Sequence, residues 1–428
     1  MEPRPLRVAD DVDALPGGTP TDTRPHVVVV GGGITGLAAA WALVRDHRDD
    51  RPAPRVTVLE ASPGVGGKLR LADVAGVRTD VGAEAMLATR PEAVTLAREV
   101  GLGRDLVHPA TTSASLWTRG TLRPLPAGLV MGVPTDLRAL AAADVLSVPA
   151  LLRLPMDHLL PATATGHDVS VGSYVAARLG REVVDRLVEP LLGGVYAGHA
   201  DALSFDATVP ALFRASQSER SLLAAARDVS RGGARSAGAR RGPVFAGLRG
   251  GVGRLPGALA QALERRGVMV RTSSTVRELR RRPDRWRLVL GPVRSPEVID
   301  ADAVIIATPA GGAARLLTSV SAVAAAELAT IEYASMAVVT LAYRVSDVPA
   351  LPGSGLLVPP VDGRAVKAAT FSASKWDWVG KAGRVGRGRD GVVLMRASLG
   401  RHGEEAALQV DDDVLAARAH GDLAAAVG

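Results

Sequence analysis

Residues 26–44 run HVVVVGGGITGLAAAWALV. Four successive valines, Val27 to Val30, make a short apolar run of β-branched side chains and read as a strand. Gly31-Gly32-Gly33-Ile34-Thr35-Gly36 follows, and Leu37-Ala38-Ala39-Ala40-Trp41-Ala42-Leu43-Val44 continues as a helix. Past an Arg/Asp-rich loop over 45–55, a second apolar run, Val56-Thr57-Val58-Leu59, closes at Glu60. Strand, glycine turn, helix and strand together make a βαβ unit of about 30 residues.

The spacing Gly31-x-Gly33-x-x-Gly36 has a physical purpose in that setting. Gly31 permits the tight turn, Gly33 lets the backbone approach a pyrophosphate, and Gly36 lets helix and strand pack closely. Ile34 and Thr35 open the helix, whose N-terminal amides and dipole favour phosphate charge. Glu60, with Ala61 beside it, is placed to accept hydrogen bonds from ribose hydroxyls, and its charge disfavours a 2′-phosphate. NAD or FAD therefore suits this site better than NADP.

A second glycine loop, Gly64-Val65-Gly66-Gly67-Lys68-Leu69, comes soon after the acid, and Thr79-Asp80-Val81-Gly82-Ala83-Glu84 lies a little further on. Backbone must again approach a ligand there, with a cation beside it. A phosphate-binding P-loop is excluded, because Lys68 is followed by Leu69 and not by a magnesium-binding Ser or Thr.

Composition bounds the remaining choices. At 428 residues, 47% hydrophobic and 22% charged, the chain has room for two or three globular lobes. With no cysteine it can hold neither a disulfide framework, nor a Cys-ligated metal, nor a thiol nucleophile, so redox chemistry requires a borrowed cofactor. Its 8 histidines include no close ligand pair, and no metal is expected. The net charge of +7 comes from 51 basic residues, all arginine but Lys68, Lys367, Lys375 and Lys381. They are scattered, and aromatics are only 3%, so a base-stacking platform and a nucleic-acid partner are not expected.

Residues 1–24 lack an apolar core and read as a disordered lead, not a signal peptide. No apolar run of about 18 to 20 residues is present to span a bilayer. The expectation is a cytoplasmic protein, with Leu129 to Val133 and Leu151 to Pro155 as the segments for any peripheral membrane contact.

The expected fold class is α/β. A discontinuous dinucleotide-binding domain covers 25–90 and 246–335, a helical lobe punctuated by prolines covers 91–215, and a mobile basic loop covers 216–242. Residues 336–428 form a mixed or antiparallel substrate-binding sheet, with strands at Ala337 to Tyr343, Ala365 to Phe371 and Val392 to Leu399. The end of the chain reads as a loop and then a helix starting at Asp411-Asp412-Asp413.

The two glycine loops around Glu60 resemble those of glutathione-reductase-like flavoproteins, in the amine oxidase and protoporphyrinogen oxidase group. The likeness continues in Ala301 to Pro309 and in Thr275-Val276, where the valine by resemblance sets backbone against the adenine of FAD. Glu189-Pro190-Leu191-Leu192-Gly193-Gly194-Val195-Tyr196-Ala197-Gly198 is similar to a signature of bacterial porphyrinogen oxidases. The segments FAGLRGGVGRLP (245–256), FSASKW (371–376) and RASLGR (396–401) point the same way.

The resemblance covers about residues 26 to 401 and is nearest to the coproporphyrinogen III oxidase branch, with protoporphyrinogen IX oxidase as neighbour. It implies FAD held by Gly31, Gly33, Ile34, Thr35, Gly36, Glu60, Ala61, Gly67, Lys68, Leu69, Gly82, Ala83, Glu84 and Val276. It also implies hydride transfer from a meso carbon to the flavin, dioxygen as acceptor, peroxide as product, and a downstream haem-pathway enzyme as a partner. Lys68, Tyr196 and Arg249 are the candidates for catalysis and substrate contact. Another flavin amine oxidase, a desaturase, and a non-catalytic porphyrin-binding relative stay as alternatives. Family members carry a further strand, glycine turn and helix at the C-terminus; their absence here is expected to weaken the isoalloxazine half of the site.

Overall fold

The computed structural model describes residues 22–46, 53–164, 168–237, 243–384 and 391–428. The expected lead at 1–24 falls outside them except for its last three residues, where Arg24 pairs with Asp22 at 2.7 Å. The chain divides into two compact units. One comprises Met1–Ala72, Gly82–Val107 and Gly247–Glu332; the other comprises Asp73–Val81, His108–Ala246 and Tyr333–Gly428.

In the first unit, strand His26–Val30 is fully buried and pairs in parallel with Arg55–Leu59 on one side and Ala303–Ile306 on the other. Met269–Arg271 adds in parallel beyond Arg55–Leu59, completing a four-stranded sheet. Burial on both faces explains the unbroken valine run. Helix Ile34–Val44 turns Leu37, Ala40, Trp41 and Val44 inward at helical spacing, against a core that includes Leu255, Leu259 and Leu263 of helix Arg254–Glu264. The antiparallel strands Val276–Arg281, Trp286–Leu290 and Glu297–Ala301 form a separate meander.

In the second unit, a six-stranded sheet runs in the order Ala337–Arg344, Val392–Leu399, Val366–Thr370, Gly355–Leu357, Ser115–Thr118, Thr121–Pro124. All its pairings are antiparallel except the parallel one between Gly355–Leu357 and Ser115–Thr118, so the sheet is mixed. One face is covered by the terminal helix Asp412–Val427 through Leu415, Ala419 and Leu423. A helical core built on Leu140, Leu154, Val175, Leu187 and Phe205 packs the rest of the unit.

Two expected boundaries are corrected. The span 91–215 is not purely helical, because Ser115–Thr118 and Thr121–Pro124 belong to the large sheet and Pro91–Glu99 belongs to the first unit. The basic stretch 216–242 is not a loop over most of its length: Leu222–Ala237 is one helix. Leu222, Leu223, Ala225, Ala226 and Val229 join the helical core there, and that apolar face outweighs the surrounding glycines and arginines. Residues 238–242 lie outside the described residues.

Candidate functional site

The C-terminal ends of the parallel strands bring the two glycine loops together. Gly31 leaves strand His26–Val30 with φ +114°, and a Cβ there would stand 2.6 Å from the carbonyl oxygen of Ala307, so only glycine fits. At Gly36 a Cβ would come within 1.9 Å of the Gly31 carbonyl oxygen, which is the close packing of helix on turn that the spacing requires. Nothing lies within 4 Å of a Cβ at Gly33. The approach to the helix N-terminus is open at the one glycine that must admit a ligand.

That N-terminus has no side-chain cap. The amides of Ile34, Thr35 and Gly36 therefore belong to the first turn of a helix, where N–H groups lack intrahelical acceptors and attract anions. Gly66 N–H donates to the Gly32 carbonyl at 2.9 Å, and Gly33 and Gly66 form a parallel bridge, so the second glycine loop is tied to the first. Ala83 N–H donates to the Lys68 carbonyl at 3.0 Å and Gly82 N–H to that of Arg70 at 3.4 Å. The three segments 31–36, 66–70 and 82–83 thus form one hydrogen-bonded layer.

Glu60 is held at the edge of this layer. Its Oε2 accepts from Gly32 N–H and its Oε1 from Ser62 N–H, both at 2.7 Å. Its backbone is clamped as well, with Glu60 N–H donating to Arg271 and Ser274 N–H donating to Glu60, each at 2.8 Å. The strap 271–274 brings the chain to Val276 at the start of the next strand. Each carboxylate oxygen keeps a further lone pair for a ribose hydroxyl. Gly32, Ser62 and Ser274 escaped sequence reasoning; Gly32 is an x position of the glycine spacing, and the two serines carry no motif.

The candidates for catalysis do not form one cluster within a unit. Lys68 and Arg249 are exposed in the first unit, and Tyr196 belongs to the second. Arg249 sits in a turn where its N–H donates to the Asp105 carbonyl at 2.8 Å, while Arg254 pairs with the Asp105 carboxylate at 2.8 Å. Tyr196, the last residue of helix Glu189–Tyr196, is 45% exposed and donates to the Thr208 carbonyl at 3.0 Å. It is a surface residue, not a core one.

An open glycine turn, an uncapped helix and an acid at the end of the neighbouring strand fit a dinucleotide of the FAD type. The chain belongs to the family of flavin containing amine oxidoreductases, whose model matches residues 34–428. Within that class it is similar to the coproporphyrinogen III oxidase of Bacillus subtilis (strain 168), at 31% identity over 92% of this chain and 81% of that protein. It is 33% identical to the protoporphyrinogen oxidase of Bos taurus over 78% of this chain and 70% of that one. A solved structure of a protein from Exiguobacterium sp. 255-15 superposes with a TM-score of 0.77 at 29% identity, covering 93% of this chain and 82% of the other. The fold is that of the amine oxidases, with parallel and mixed sheets.

Proposed function

We propose that the protein is an FAD-dependent oxidase of coproporphyrinogen III, forming coproporphyrin III with dioxygen as electron acceptor. The observation that carries the reading is the locked pair of glycine loops beside Glu60, with the Gly33 position open and the first-turn amides uncapped. The similarity to coproporphyrinogen and protoporphyrinogen oxidases supports the tetrapyrrole.

Gly31, Gly33, Ile34, Thr35 and Gly36 would hold the pyrophosphate by backbone amides and helix dipole, and Glu60 the ribose. Gly67, Lys68, Leu69, Gly82 and Ala83 belong to the layer that would carry the rest of the cofactor, with Glu84 following it in sequence and Ala61 and Val276 toward the adenine. When bound, the flavin supplies two-electron acceptance from carbon and reoxidation by dioxygen. The chain's own residues bind, orient and exclude water. Lys68 and Arg249 bring positive charge suited to a substrate with four propionates, and Tyr196 offers a hydroxyl in the second unit.

Among the described residues no helix is long and apolar enough to cross a membrane. Of the segments expected to touch a membrane, 151–155 exposes Leu152 and is flanked by exposed Val148, Met156 and Leu159, which supports a peripheral contact, whereas Leu154 and Val133 within the expected segments are buried.

The test is the visible spectrum of the purified chain with FAD, followed by porphyrin fluorescence and peroxide from anaerobically prepared coproporphyrinogen III. A bound flavin with coupled rises in both signals is expected. Bound flavin with no rise above autoxidation overturns the activity.

A further inference from the structure

The second unit contains two buried cationic groups that the description above leaves without a task. Lys367 is 1% exposed and its Nζ has no hydrogen-bond partner among the described residues. It stands on strand Val366–Thr370 where the register with Val392–Leu399 slips between Val366 and Ala368. Arg401 is 4% exposed and its Nε is likewise unpartnered. A buried ammonium without an acceptor is costly, so its presence calls for a functional or structural reason.

Neither nitrogen has a carboxylate within hydrogen-bond reach among the described residues. The carboxylate that reaches Arg401 is that of Glu404, at 3.6 Å from Nη1, and it is also 3.5 Å from His199 Nε2. Both contacts are long for strong pairs, and the Glu404 side chain is 39% exposed. Glu189 lies on the far side of His199, 3.8 Å from its Nδ1; burial pushes its carboxyl up, toward the neutral form. Among the described residues Lys367 Nζ and Arg401 Nε therefore have no acceptor, while the two carboxylates of this region, Glu404 and Glu189, lie at long distances from Arg401 Nη1 and His199.

Two glycines of the porphyrinogen-oxidase-like segment pack next to Arg401 and Leu357. Helix Glu189–Tyr196 follows a π-helical turn over Val184–Val188, and Pro190 removes a backbone donor where the two meet. The Gly193 position approaches Arg401 Nε, which a Cβ there would meet at 3.5 Å, and the Gly194 position approaches Leu357 at 3.3 Å. A side chain at either position would occupy space in front of the sheet face.

We propose that Lys367 and Arg401 form an internal carboxylate-binding site that takes a propionate of the tetrapyrrole, an assignment that rests on the function proposed above. An incoming carboxylate accepts from Lys367 Nζ and Arg401 Nε and displaces Glu404 toward solvent. Lys367 and Arg401 are then specificity-determining residues, separating substrates with a carboxylate at that ring position from esters that lack the charge.

The experiment compares wild type with Lys367→Met and Arg401→Gln in the full chain. Binding of coproporphyrin III and of its tetramethyl ester is followed by the Soret band, and melting is measured in sodium propionate against sodium chloride at equal ionic strength. Each variant is expected to lose at least tenfold in affinity for coproporphyrin III with little change for the ester. Propionate is expected to raise the Tm of wild type and not that of Lys367→Met. Equal affinity for coproporphyrin III in all three proteins, or equal losses for acid and ester, overturns the site. Should wild type bind neither porphyrin, the tetrapyrrole reading fails, and propionate decides the site separately: selective stabilisation of wild type upholds a carboxylate site, and its absence overturns it.

Discussion

Replacing Lys367 by Met should stabilise the protein, and by an amount that depends on pH. Burial, with the nearby Arg401 guanidinium adding to it, pushes the Lys367 ammonium down from 10.5 to about 8. At about 1.4 kcal/mol per tenfold, that fall corresponds to roughly 3 kcal/mol against the charged folded form. The sign follows from proton counting. Between pH 8 and 10.5 the unfolded chain binds more protons at this site than the folded one, so wild type gains stability as pH rises through that window. Below pH 8 the penalty is fully present. Met keeps the length and apolar stem of the lysine without its charge. Urea unfolding of the cofactor-free protein in carboxylate-free buffer should therefore find Lys367→Met more stable by about 3 kcal/mol at pH 7, with most of the gap gone by about pH 10.5. A variant less stable than wild type at pH 7, or a gap of the same size at both pH values, would refute the claim that this ammonium is buried without a partner.

Gly36→Ala sets a Cβ 1.9 Å from the Gly31 carbonyl oxygen, so FAD titration by flavin fluorescence should find binding abolished or weakened more than a hundredfold; near-normal affinity would remove the close packing from the argument. Glu60→Ala frees the amides of Gly32 and Ser62 and should raise the FAD dissociation constant about tenfold, at about 1.4 kcal/mol per tenfold, an effect that unchanged affinity in the same titration would contradict. Lys68→Ala should leave the melting temperature unchanged while weakening flavin or porphyrin binding, because the side chain is exposed; wild-type affinity for both ligands would take Lys68 out of the site. Asp157→Ala should cost about 3–5 kcal/mol in urea unfolding. It strips a fully buried carboxylate from Arg178 Nε at 2.6 Å, Ser221 Oγ at 2.5 Å and Leu223 N–H at 2.9 Å, and a loss under 1 kcal/mol would mean that the guanidinium finds other acceptors.

The contrast between these two buried cations carries a lesson about function. Arg178 is 0% exposed, and besides Asp157 it donates to the carbonyls of Pro161 and Arg220, so it is a structural ion with its partners in place. Lys367 has the burial without the partners. Arg178 fixes a fold, whereas Lys367 waits for a ligand.

Much of the first unit could be read from residue order alone. A run of valines closed by glycines states both strand and turn, because continuous β-branched residues suit a strand buried on two faces and a helix cannot start tightly without small residues. The strand Val392–Leu399 and the terminal helix opening at Asp412 agree with the expectation for the same local reason, since period and caps are properties of neighbouring residues. The sequence also named Gly31, Gly36 and Glu60, because the glycine spacing and the acid closing the second strand belong to one consecutive βαβ unit.

Long-range pairing was not legible in this way. That Ser115–Thr118 joins a sheet with Gly355–Leu357, more than two hundred residues later, depends on register between distant strands that carry no mark for one another. The helix Leu222–Ala237 was hidden because glycine and arginine content suggests a loop, and only a core to pack against made its narrow apolar face sufficient. The segments quoted as motifs, 189–198 and 396–401, contained Glu189 and Arg401 in plain view, yet nothing in their order says that both are buried, or that Lys367 is buried as well. Composition records how many charges a chain has. Which of them are taken from water, and which are left without a counter-charge, is decided only when strands and helices far apart in sequence close around them.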